Sequence, residues 1–139
     1  MFLAALELYV AQQVSFLTQL LADGSIRDGL ERLYSLMVEM LRPEGAGSTC
    51  MVATSLLEIP AEDEETVARV ASGQARMTAV YEARFQRALD EGDLDSSRTA
   101  GELARFIATV NNGFQVAARA RASEDELRGI ARMAVESVC

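Results

Sequence analysis

The stretch Ile107-Ala108-Thr109-Val110-Asn111-Asn112-Gly113-Phe114-Gln115-Val116-Ala117-Ala118-Arg119, IATVNNGFQVAAR, decides the fold class. Asn-Gly between apolar runs is a strong short-range signal for a hairpin turn. A hairpin, however, needs apolar and polar residues to alternate on both sides of the turn. Here Leu103, Phe106, Ile107, Val110, Phe114, Ala117 and Ala118 instead recur at helical spacing, with Arg105, Asn112 and Arg119 on the opposite face. The stripe crosses Asn111-Asn112-Gly113 without losing phase, so the stretch reads as helix. Asn111 then leans toward the interior and Asn112 points to solvent. Gly113 sits at the edge of the apolar face, where a missing side chain would let another helix come close. A propensity cost of about 1 kcal/mol for glycine in mid-helix is tolerable if that contact forms.

Working outward, the same periodicity predicts six helices and no strand, an all-α single domain spanning residues 1–139. The first runs from Phe2 to Ala22 and ends at Asp23-Gly24. Ser25 caps the second, whose stripe Ile26, Leu30, Leu33, Tyr34, Met37 and Leu41 stops at Arg42-Pro43 before the loop Glu44-Gly45-Ala46-Gly47. The third, Ser48 to Ile59, is apolar almost all round and belongs in the middle of a domain. Glu62-Asp63-Glu64-Glu65 opens the fourth, where negative charge suits the helix dipole, and Glu91-Gly92 ends it. Thr99 with Glu102, and Ser123 with Glu126, have capping-box spacing and open the fifth and sixth. The fifth is expected to reach Ala122, and the sixth Val138.

Composition excludes several classes of function. All thirteen basic residues are Arg against twenty-one acids, a net charge of −8, and the chain contains no Lys, His or Trp. Binding nucleic acid requires clustered cations that displace counterions from phosphates, so this chain is not expected to bind it alone. An acidic membrane surface is disfavoured for the same reason. No apolar run is long enough to cross a membrane. The N-terminus is not a signal peptide: it lacks a basic start and is interrupted by Glu7. The expected location is the cytoplasm. Cys50 and Cys139 imply no disulfide framework.

Without His, no Ser-His, Cys-His or His-metal arrangement can be built. No Gly-rich nucleotide fingerprint is present. Catalysis, a metal and a cofactor are therefore not expected. What stands out is polar atoms on apolar stripes: Gln74 between Val70 and Met77, Asn111 in the fifth helix, and Thr54 and Ser55 in the third. Such groups either bond backbone, water or each other in a solid core, or orient a ligand in a mostly apolar pocket. On the pocket reading, Phe16, Tyr34, Met37, Met51, Thr54, Gln74, Met77, Tyr81, Phe106, Val110 and Asn111 are the candidate ligand-binding residues. The small residues Ala131 and Ala134 allow close helix approach, so the last two helices could join a symmetry mate in a four-helix bundle. The candidate homodimer interface is Leu103, Ile107, Phe114, Ala118, Leu127, Ile130, Ala131, Ala134 and Val138. Packing within the protomer is the alternative.

The order of these pieces resembles the C-terminal ligand-binding and dimerisation domain of TetR/AcrR-type transcriptional regulators. Phe2-Leu3-Ala4-Ala5-Leu6-Glu7-Leu8-Tyr9 resembles the segment after the family's helix-turn-helix domain. Gly47-Ser48-Thr49-Cys50-Met51-Val52 resembles the start of its central helix, and Glu64-Glu65-Thr66-Val67-Ala68-Arg69-Val70 the opening of the next. Glu91-Gly92-Asp93-Leu94, Glu102-Leu103-Ala104-Arg105-Phe106, Gly113 and Ala117-Ala118-Arg119-Ala120 follow in the family's order. The chain departs from the pattern in opening its fourth helix with acids where the family has Asp-Pro, and in carrying Arg121 where a glycine often ends the penultimate helix. No basic helix-turn-helix module precedes Met1 in this sequence. The resemblance implies a repressor's effector-sensing domain, dimeric, binding a small apolar or amphipathic molecule without catalysis. The rival reading is a stand-alone helical interaction protein with no pocket.

Overall fold

Side-chain caps open four of the six helices. The computed structural model describes residues 1–41 and 50–139, and among these every regular element is an α-helix. The six are α1 (Phe2–Ala22), α2 (Ile26–Met40), α3 (Met51–Glu58), α4 (Glu64–Asp90), α5 (Ala100–Arg119) and α6 (Glu124–Val138). Ser25 Oγ accepts from the Asp28 N–H at 3.0 Å, and Asp63 Oδ1 from the Thr66 N–H at 3.3 Å. Thr99 with Glu102, and Ser123 with Glu126, form reciprocal capping boxes. The backbone and side-chain bonds from Ser123 hold the Glu126 carboxyl below its ordinary pKa. The expected stop at Arg42-Pro43, the Glu44–Gly47 loop and Ser48 lie outside the described residues.

Asn111-Asn112-Gly113 is continuous helix, as its phase requires. Helix α5 ends at Arg119, short of the expected Ala122, because the chain there closes a Schellman turn. The Ala122 N–H bonds to the Ala117 carbonyl and the Arg121 N–H to that of Ala118, both at 3.0 Å. This turn puts Arg121 in the left-handed region at φ 67°.

The long α4 packs along α1 and α5 and also carries α3, while α6 closes against α2 and α5. A Cβ on Gly73 would lie 2.9 Å from Val10 Cγ2, so the absence of a side chain there sets how closely α1 and α4 approach. Gly113 does not play that part within the protomer: a Cβ there would meet nothing within 4 Å.

The C-terminal carbonyls of α1 are taken up by three arginines. Arg32 donates to Leu20, Arg84 to Leu21 and Gly24, and Arg87 to Ala22. Cations suit this end of a helix because they meet its unpaired carbonyls and negative dipole end. Asp93 adds a joint, its Oδ2 accepting from the first N–H of α2, at Ile26, at 2.7 Å and lying 3.9 Å from Arg84 Nη2. Together these contacts fix α1 and α2 against α4.

Candidate functional site

Buried side chains form two apolar clusters. The larger spans α2, α5, α6 and the C-terminal halves of α1 and α4; the smaller joins Leu6, Val10, Val52 and Val70. Met77 packs against both. Along this seam lies a cavity of about 440 Å³, within the size range of small-molecule sites.

Each wall is one stripe of a helix. Helix α1 gives Tyr9, Gln13, Phe16 and Leu17; α2 gives Leu33, Leu36, Met37 and Met40, with Leu41 just beyond. Helix α4 gives Gln74, Met77 and Tyr81, and α5 gives Ala108, Asn111, Asn112 and Gln115. Cys50, the residue before α3, completes the lining. Spacings of three, four and seven residues put each set on a single helical face.

The polar groups are neutral. No Asp, Glu or Arg lines the cavity among the described residues. Asn111 Nδ2 donates to the Tyr81 hydroxyl at 3.1 Å, while its Oδ1 is buried with no hydrogen-bond partner in the protein. Gln115 Oε1 accepts from the Cys50 N–H, tying α5 to the start of α3. Burial pushes the Tyr81 phenol up to about 12, against the opposing hydrogen bond from Asn111. Burial also raises Tyr9, which meets the Cys50 side chain and the Met51 backbone, and raises Tyr34. The arrangement can enclose an apolar body and orient it with amides and phenols. Among the described lining residues no carboxylate stands beside the Cys50 thiol.

Of the residues singled out from sequence, Phe16, Met37, Gln74, Met77, Tyr81 and Asn111 line this cavity. Tyr34 does not; it is buried in the larger cluster, its ring 5.7 Å from that of Phe114. Met51 packs on the smaller cluster, Thr54 is half-buried on α3 outside the lining, and Val110 packs on the larger cluster. Phe106 falls on the outer side of α5 and is 41% exposed. Asn112, expected to face solvent, is half-buried and lines the cavity. Tyr9, Gln13 and Gln115 are polar lining residues that the sequence reading missed.

The expected interface residues are placed differently from the expectation. Leu103, Ile107, Phe114, Leu127, Ala131, Ala134 and Val138 are all buried within one protomer, where α5 and α6 pack on α2 and α4. Their shared phase marks the protomer's own core. Ala118 is half-buried and packs on that core, and Ile130 is exposed. The large apolar side chains of α5 and α6 that face outward are Phe106, Val116, Ile130 and Met133.

Among the described residues, no group of three or more His, Cys, Asp or Glu is placed to hold a metal ion. No described helix is long and apolar enough to cross a membrane. Residues 27–134 match the family described as Tetracyclin repressor-like, C-terminal domain, and the chain belongs to that family. No curated protein and no solved structure matches it.

Proposed function

We propose that residues 1–139 act as the effector-sensing and dimerising domain of a TetR-like transcriptional repressor in the cytoplasm, binding a small apolar or amphipathic molecule without catalysis. The observation that carries this reading is the cavity of about 440 Å³ at the seam of the two clusters, lined by apolar and neutral polar side chains. Family membership supports it, since the chain matches the C-terminal domain of such regulators. A ligand there would touch α1, α2, α4 and α5 at once, so its binding would change how these helices sit together. Operator DNA would be met only through a helix-turn-helix domain in the same polypeptide. Control would then be a coupling free energy between the two sites. For the dimer, the support is the exposed large apolar side chains of α5 and α6, which a second copy would cover.

Thermal denaturation with a panel of hydrophobic and amphipathic compounds tests the ligand reading. A compound at a hundred times its Kd stabilises the fold by about 2.7 kcal/mol. Leu36→Trp, which adds bulk to the cavity wall, should abolish that gain. If no compound stabilises the protein, the stand-alone helical interaction protein becomes the better account.

A further inference from the structure

We infer that the cavity, taken as the effector site proposed above, selects an uncharged ligand that is apolar along one edge and carries hydroxyl or carbonyl groups spread along the other. The walls differ in character. Helix α2 gives the lining only Leu33, Leu36, Met37 and Met40, an apolar surface throughout. The carboxamides come from three other helices: Gln13 from α1, Gln74 from α4, and Asn112 and Gln115 from α5. Gln115 Oε1 is already committed to the Cys50 N–H. Gln13, Gln74 and Asn112 are half-buried, and among the described residues their side chains take part in no hydrogen bond.

Each of these three carboxamides offers both donors and an acceptor to whatever fills the cavity. A wholly apolar body, or a chain polar only at its tip, would strip most of them of water and give nothing back, which weakens its binding. A ligand with polar groups at several points along one edge meets carboxamides on α1, α4 and α5 while its other edge lies on α2. A carboxylate or ammonium fits less well. The described lining holds no charged side chain, so an entering ion would lose its hydration and meet no opposite charge.

The test is a calorimetric titration of the whole chain with four compounds on one ten-carbon chain. Two are isomeric decanediols, a spread one with hydroxyls on the first and fifth carbons and an end one with hydroxyls on the first and second. The others are decanoate and decylammonium. The spread diol is expected to bind at least about fivefold tighter than the end diol, the gain of one net hydrogen bond, and both diols tighter than either ion. Replacing the three open carboxamides together, Gln13→Leu with Gln74→Leu and Asn112→Leu, should close the gap between the diols. Because the ranking is read in the unaltered protein, the test stands even if the triple variant fails to fold. Equal binding of the diols, tighter binding of the end diol or of an ion, or a gap that persists in the folded variant overturns this inference and leaves the pocket reading intact. Binding by none of the four, while other compounds of the wider panel stabilise the fold, does the same. Binding by none of the four, together with no stabilisation by the panel, removes both.

Discussion

The guanidinium of Arg84, buried in α4, donates through Nε to the carbonyl of Leu21 in the last turn of α1 at 2.7 Å. The two residues are far apart in sequence, and the bond anchors the end of one cavity wall to another. Burial and the neighbouring Arg87 lower the Arg84 pKa, and Asp93 pulls it back. Truncating Arg84 strands two carbonyls, those of Leu21 and Gly24, and leaves Asp93 without its buried counter-charge. Arg84→Met should therefore cost about 3 kcal/mol in urea denaturation. Arg87 also bonds α1 but from an exposed position, so Arg87→Met should cost less than about 1 kcal/mol. Equal losses for the two variants would show that burial of Arg84 contributes nothing.

Arg121 occupies a left-handed position that glycine tolerates without strain. The Schellman bonds around it are backbone bonds, so they survive removal of the side chain. Arg121→Gly should stabilise the fold by about 1 kcal/mol, which is a rise of about 4 °C in Tm. A fall in Tm would mean that the Arg121 side chain makes a contribution larger than the strain it relieves.

The three tyrosines make alkaline stability a sharp readout. An unfolded phenol ionises near 10.0, whereas burial raises Tyr81 to about 12 and also raises Tyr9 and Tyr34. The folded state thus holds protons that the unfolded state releases. The Tyr81 contribution is complete below the unfolded value, falls as pH rises through 10, and is lost by about 12, while those of Tyr9 and Tyr34 extend to higher pH. Tyrosinate absorbance should lag behind a model peptide and then rise together with loss of helical circular dichroism. Ionisation of all three at their ordinary value with the helices intact would contradict the burial of these side chains.

Helix phase told most of the architecture in advance, because a stripe that survives Asn-Gly leaves no room for a hairpin. Phase could not separate core from pocket. Tyr34 and Tyr81 are both inward aromatics, but only Tyr81 lies on the seam between the clusters, which depends on how α1, α2, α4 and α5 are spaced. The missed amides did leave a trace: Ala108, Asn111, Asn112 and Gln115 follow i, i+3, i+4, i+7, a small-and-amide stripe beside the apolar one. On α1, Tyr9, Gln13 and Phe16 follow i, i+4, i+7. Such second stripes look like ordinary polar surface until a neighbouring helix is seen to face them. The arginine clamp was hidden for a similar reason, since Arg84 and Leu21 meet only through tertiary packing.

For the proposed dimer, burial decides which side chains can test it. Phe114 is 1% exposed in the protomer, so Phe114→Glu should unfold the chain rather than dissociate it. Phe106 and Met133 are open to solvent on α5 and α6, Met133 at 69%. Apolar side chains this large are the ones a partner copy would bury, and a charge put in their place must be desolvated on association. Phe106→Glu with Met133→Glu should weaken association by about 2 kcal/mol or more, over tenfold in Kd. Sedimentation should then show a shift toward the monomer mass, with the helical signal unchanged. A dimer that persists in the double variant would place the interface away from this face.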